Sequence, residues 1–125
     1  MEYYFIFVYR GRYIAGGKTV KQKILSMNSV YLVHITLPES FTEEFYGLID
    51  QQRGLIAELM DRRTVLSYSL DMERKNVWCV LEVGGQKELA QILKTFPILD
   101  HVELTVHELA FHDAAPVALP DLILN

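Results

Sequence analysis

From residue 30 to residue 112 the apolar positions switch between two periods. Val30 to Leu37 is β-branched, aromatic or aliphatic at nearly every position and stops at Pro38, as a strand followed by a turn should. Phe45, Leu48, Ile49, Leu55, Ile56, Leu59 and Met60 then recur at steps of three and four, which places them on one helical face. Ser40-Phe41-Thr42-Glu43 has the S/T-x-x-E form of a helix start, with Thr42 as an alternative cap. Gly54 interrupts this helix and marks either a close approach to another backbone or simple tolerance.

Thr64 to Leu70 and Asn76 to Val83 are two further strand-like runs, joined by the polar Asp71-Met72-Glu73-Arg74-Lys75, a length suited to an antiparallel hairpin. Gly84-Gly85 turns the chain into Gln86 to Thr95, where Leu89, Ile92, Leu93 and Phe96 regain helical spacing before Pro97 ends it. His101 to Phe111 alternates again, with Val102, Leu104, Val106 and Ala110 pointing one way. The order β-α-β-β-α-β predicts an α+β, ferredoxin-like fold. Its four-stranded antiparallel sheet has the usual order 4-1-3-2, and right-handed crossovers put both helices on one face.

The other face is then bare, and its residues do not suit water. The two alternating sets of the first strand are Tyr31, Val33, Ile35 and Leu32, His34, Thr36; those of the third are Cys79, Leu81, Val83 and Trp78, Val80, Glu82. Neither set in either strand is uniformly polar, so the uncovered face carries Leu32, Trp78, Val80, Leu109 and Phe111. Two such sheets packed face to face would bury them, which predicts a homodimer of the dimeric α+β barrel type, or a higher oligomer of such dimers. Residues 114–125 form an extended tail with Pro116, Pro120 and an apolar end, Leu122-Ile123-Leu124, suited to lying across a partner or over the monomer's own core.

Composition adds three constraints. Residues 1–26 carry five Lys/Arg against one acid, while the rest carries seven against fifteen, so a +4 segment precedes a −8 body. An acidic body lacks the basic stripe that nucleic-acid binding requires. The 1–26 segment, with its Tyr3 to Tyr9 aromatic run and Gly16-Gly17, reads as an appendage to a domain spanning 27–113: either an extra edge strand with a linker, or residues upstream of a true start at Met27. The aromatic run is too short to cross a membrane and follows Glu2 rather than a basic region. Cys79, the single cysteine, sits in an apolar run as a core residue, which fits a reducing, cytoplasmic setting.

Candidate chemistry is confined to a few side chains. His34 and His107 fall on strands that neighbour one another in the expected order, and with Glu103 and Tyr68 they would form an acid/base set if all faced one interior. The alternative is that they are ordinary hydrogen-bonded sheet residues. Trp78 could stack on a ligand or pack an interface, and Arg53 could anchor a substrate carboxylate or belong to a solvated helix face. His107-Glu108 with His112 is one residue too long for H-E-x-x-H, and on a strand that step sends the imidazoles to opposite faces. Gly84-Gly85 lacks any phosphate-loop context. No metal or cofactor is therefore expected.

Leu37-Pro38 after the first strand, the long helix, the 64–83 hairpin, Leu93-Lys94-Thr95-Phe96-Pro97-Ile98-Leu99-Asp100 and the ending Glu108-Leu109-Ala110-Phe111-His112 together resemble the muconolactone delta-isomerase family over about residues 29–113. The resemblance implies a small cytoplasmic protein assembling through its sheets, and cofactor-free movement of a double bond in a lactone by proton transfer. It assigns no catalytic position in this chain. A non-catalytic dimeric module for a small ligand or partner and a cofactor-free monooxygenase are the other readings.

Overall fold

The computed structural model describes residues 28–116. Strand β1 (Ser29–Thr36) leads to helix α1 (Glu43–Asp61), strands β2 (Val65–Leu70) and β3 (Asn76–Val83), helix α2 (Gln86–Leu93), a short 3-10 turn (Leu99–His101) and strand β4 (Glu103–Leu109). The sheet is antiparallel in the order β2-β3-β1-β4. This is the α+β, ferredoxin-like arrangement that the periodicity predicts. Residues 1–26 and the tail beyond residue 116 lie outside the described residues, and with them the expected appendage and most of the expected tail.

Helix α1 starts at Thr42, whose hydroxyl accepts the Phe45 N–H at 3.1 Å; Thr42, not Ser40, is the cap. Glu43 and Glu44 in the first turn oppose the positive end of the helix dipole. The helix ends when Arg63 N–H bonds to Met60 C=O and Thr64 N–H to Leu59 C=O, with Arg63 in the left-handed region at φ 62°. This is a Schellman closure built without glycine. A Cβ on Gly54 would meet nothing within 4 Å, so this glycine serves no close approach.

Alternation assigns the two faces of the sheet. Tyr31, Val33 and Ile35 of β1, and Val77, Cys79, Leu81 and Val83 of β3, are buried beneath the helices, where they meet Phe45, Ile56 and Leu59 of α1 and Leu89 and Leu93 of α2. Strand β4 contributes Val106 to this layer, and also Glu108, a buried carboxylate opposite Tyr31. Burial, together with the charge of Glu108, pushes the Tyr31 phenol far above its ordinary value. The strand is shorter than the alternating sequence because the Leu99–His101 turn takes up its first residues.

Among the described residues no helix is long and apolar enough to cross a membrane.

Candidate functional site

The register divides the sequence candidates between the two faces. His34 lies opposite Trp78 on β3 and Thr105 on β4; His107 lies opposite Leu32, one diagonal step from His34; Glu103 lies opposite Thr36. These four candidates share the bare face, and diagonal pairs of this kind are separated by roughly 7–8 Å. Tyr68 does not join them. It pairs with Cys79, a helix-side position, because a bulge between Val65 and Ser67 resets the parity of β2. The expected four-member acid/base set is therefore split by the sheet, with His34, His107 and Glu103 on one side and Tyr68 on the other.

On the bare face, one imidazole is held in place by a chain of groups. Asn76 Nδ2 donates to Asp71 Oδ2 at 2.9 Å, and a carboxylate can only accept, so the amide oxygen must face His34. Asn76 Oδ1 lies 2.8 Å from His34 Nε2, which must then carry the proton. The tautomer follows from the network, and the lone pair of neutral His34 resides on Nδ1. The ring also stacks on Trp78, with centroids 5.5 Å apart and planes 10° from parallel.

Asp71 anchors this chain. Its Oδ1 accepts the backbone N–H of Lys75 at 2.8 Å and of Asn76 at 3.1 Å. The Asn76 side chain first, and then the Lys75 N–H, hold its carboxyl below the ordinary carboxylate value. A depressed acid stabilises the fold fully above its unfolded pKa, and that contribution is lost as pH falls through the lower, folded value. Asp71→Asn is expected to flatten the loss of stability between about pH 4 and lower pH, as followed by urea denaturation across pH, because only the wild-type group titrates there.

On the opposite side, α1 does not close fully onto the sheet. A cleft of about 460 Å³ opens between α1, the β2–β3 end and the turn before β4. Its walls include Phe41, Phe45, Ile49, Leu70, Val77 and Ile98. Gln52, Tyr68 and the exposed Tyr46 supply its polar groups, and among the described residues Arg53 and Arg74 are its charged ones. Gln52 is 3 % exposed; its Nε2 donates to the Tyr68 hydroxyl at 3.3 Å, and its Oε1 is buried with no hydrogen-bond partner among the described residues. Burial holds the Tyr68 phenol above its ordinary value, outweighing the lowering influence of the Gln52 bond, so at neutral pH it keeps its proton. None of His34, His107, Glu103 and Trp78 lines this cleft.

Gln52 and Arg74 were not among the sequence candidates. The signal for Gln52 is its place on the stripe of Phe45, Ile49, Ile56 and Leu59, where an amide interrupts an otherwise apolar face. Arg74 carries a weaker signal, visible only once the hairpin is folded: it stands at φ 60°, where Gly or Asn is usual. The remaining candidates do structural work. Burial pushes the Cys79 thiol up to about 12, which leaves it without thiolate character near neutrality. The Gly84 N–H is taken by Glu88 Oε1 at 2.7 Å and is not offered to a phosphate. Among the described residues no three His, Cys, Asp or Glu side chains gather to hold a metal ion.

The site thus belongs to a small α+β domain with an oriented histidine on one face of its sheet and a polar-tipped apolar cleft on the other. No protein-family model matches the chain, and no curated protein matches its sequence. Among solved structures it is similar to a conserved protein from Methanosarcina mazei Go1, with 16 % identity and a TM-score of 0.43 over 67 % of this chain and 95 % of that one.

Proposed function

We propose that this protein is a small-ligand binding module whose site is the cleft between α1 and the β2–β3 hairpin. The observation that carries this reading is an apolar cleft of about 460 Å³ backed by the buried Gln52 amide, whose carbonyl oxygen is closed off from solvent and has no partner among the described residues. An unpaired buried acceptor costs on the order of 1–3 kcal/mol, a cost that a ligand donating to it would remove. The volume falls within the roughly 300–1,000 Å³ usual for small-molecule pockets. Gln52→Leu is expected to leave the ligand-free protein as stable as wild type, or more stable by about 1 kcal/mol, while weakening binding of small hydroxyl-bearing aromatic probes by about tenfold. Urea denaturation alongside calorimetric titration checks both. A Gln52→Leu protein that is markedly less stable would make the amide a structural residue and remove the main support for the reading.

A second reading, the cofactor-free isomerisation of a small lactone-like molecule expected from the family resemblance, rests on His34. The Asp71–Asn76–His34 chain presents Nδ1 as a positioned proton acceptor. Among the described residues no histidine or carboxylate lines the cleft, whose titratable side chains are Arg53, Arg74 and the phenols of Tyr46 and Tyr68. This reading therefore places catalysis on the bare face, which water must leave for the chemistry to run. A second copy of the chain covering that face would exclude it, and the cytoplasmic homodimer expected from the sequence is part of the proposal. Turnover of an unsaturated lactone acid by the wild type and not by His34→Gln is its expected signature. Equal rates in both would end it.

A further inference from the structure

The cleft has a chemical polarity of its own. Resting on its role as a ligand site, we infer that it takes an apolar acid bearing a distal hydroxyl, with the anion held at the mouth by Arg53 and Arg74 and the hydroxyl seated between Gln52 and Tyr68.

The mouth is the first observation. Arg53 comes from α1 and Arg74 from the β2–β3 hairpin, so two separate elements place an arginine on the lining of one cleft. No acid lines the cleft to neutralise them. Among the described residues the ion pairs are Arg62 with Glu58 and His101 with Glu44, so neither mouth arginine is spent on a carboxylate. The nearby Asp71 carboxylate is occupied by Lys75 N–H, Asn76 N–H and the Asn76 side chain. Two unpaired cations at one apolar opening run against the −8 charge of residues 27–125. Arg74 also holds a left-handed conformation, costly for a residue with a Cβ, at a position where glycine would be unstrained. A guanidinium fork matches a carboxylate in geometry as well as charge.

The buried end is the second observation. The Tyr68 oxygen already accepts from Gln52 Nε2, so its own proton is available to a ligand, while Gln52 Oε1, closed off from solvent and without a partner among the described residues, meets a ligand donor when its side chain turns toward the cleft. One acceptor and one donor side by side suit a hydroxyl, which gives and takes at the same atom. With the Gln52 amide turned over the two roles exchange, and a hydroxyl still fits. A carboxylate would not, because it cannot donate to Gln52 Oε1 and would lie far from water in an apolar setting. Phe41, Phe45 and Ile49 between the two ends suit a flat or aliphatic body.

The test is a titration of the full chain with three probes that change one end at a time: 3-(4-hydroxyphenyl)propionate, its primary amide, and 3-phenylpropionate. Calorimetry gives affinities, and amide and side-chain NMR shifts locate the site. The hydroxy acid is expected to bind about fivefold or more tightly than either companion at pH 7. The advantage over the amide should vanish in Arg53→Gln/Arg74→Gln, and the advantage over the deoxy acid in Tyr68→Phe. An amide binding as tightly as the acid, or an acid preference unchanged in the double variant, overturns the anion assignment while leaving the cleft a ligand site. A deoxy acid binding as well as the hydroxy acid overturns the hydroxyl assignment in the same way. If no probe shifts Gln52 or Tyr68, or if NOEs show residues 1–27 or 117–125 of the chain itself seated against Tyr68, the ligand-site reading and this inference fall together.

Discussion

Leu81→Ala is expected to destabilise the protein by about 2–5 kcal/mol, the range for emptying a fully enclosed leucine site. Leu81 is fully buried on the helix side of β3, an interior strand, between Tyr31 of β1 and Val65 of β2. Its neighbours on both sides are fixed by ladder hydrogen bonds, so the hole has little means of collapsing. A domain of this size has a total stability on the order of 5–15 kcal/mol, and the loss would consume a large share of it. The urea midpoint should fall with the slope unchanged, since the surface exposed on unfolding is nearly the same. Leu66→Ala provides the contrast. Leu66 sits at the β2 bulge and is 37 % exposed, and its loss should cost under about 1 kcal/mol. Equal losses at the two positions would mean that the helix-side layer is not the principal core.

Leu32→Lys is expected to convert the proposed homodimer into a monomer without changing the fold. Leu32 occupies the middle of the bare face, opposite Val80 on one side and His107 on the other, with Trp78 39 % exposed nearby. If that face meets a second copy, the substitution buries two ammonium groups in one interface, and each brings a desolvation penalty of several kcal/mol. On a face open to water the same lysine would cost almost nothing. Sedimentation or light scattering at tens of micromolar should show the mass halve in the variant, with the far-ultraviolet circular dichroism unchanged and Trp78 emission shifted to the red. A wild-type chain that is already monomeric would refute the assembly and would also remove the shielding on which the His34 isomerase reading depends.

The sequence made the layers legible where one parity governed a whole strand. In β1, Tyr31, Val33 and Ile35 form one uninterrupted set, and all three are buried. The helices announced themselves through three- and four-residue spacing and through their ends. Legibility failed where a single residue departed from the pattern of its neighbours. One extra residue at the β2 bulge turned Tyr68 away from the histidines, and no composition signal marks a bulge formed at Leu66. In β4, Glu108 occupies a core position that alternation of apolar residues cannot reveal. The cleft was hidden for another reason. Its lining comes from α1, from both strands of the hairpin and from Ile98, which no short stretch of sequence places together. Only Gln52, polar on an apolar stripe, hinted at it.

The Asp71–Lys75 turn has a consequence beyond closing a hairpin. Arg74 on this turn reaches the mouth of the cleft, while Asn76 just after it holds the His34 ring on the far side of the sheet, and both are tied to Asp71, through Arg74 N–H to its carbonyl at 3.0 Å and through the Asn76 side chain. A four-stranded sheet ordinarily insulates its two faces, since a signal must pass through close-packed side chains to cross it. Here one turn, pinned by the Asp71 carboxylate, sets a group on each side at the end of the sheet. Replacing Asp71 is therefore expected to loosen the arginine beside the cleft and the imidazole on the bare face together.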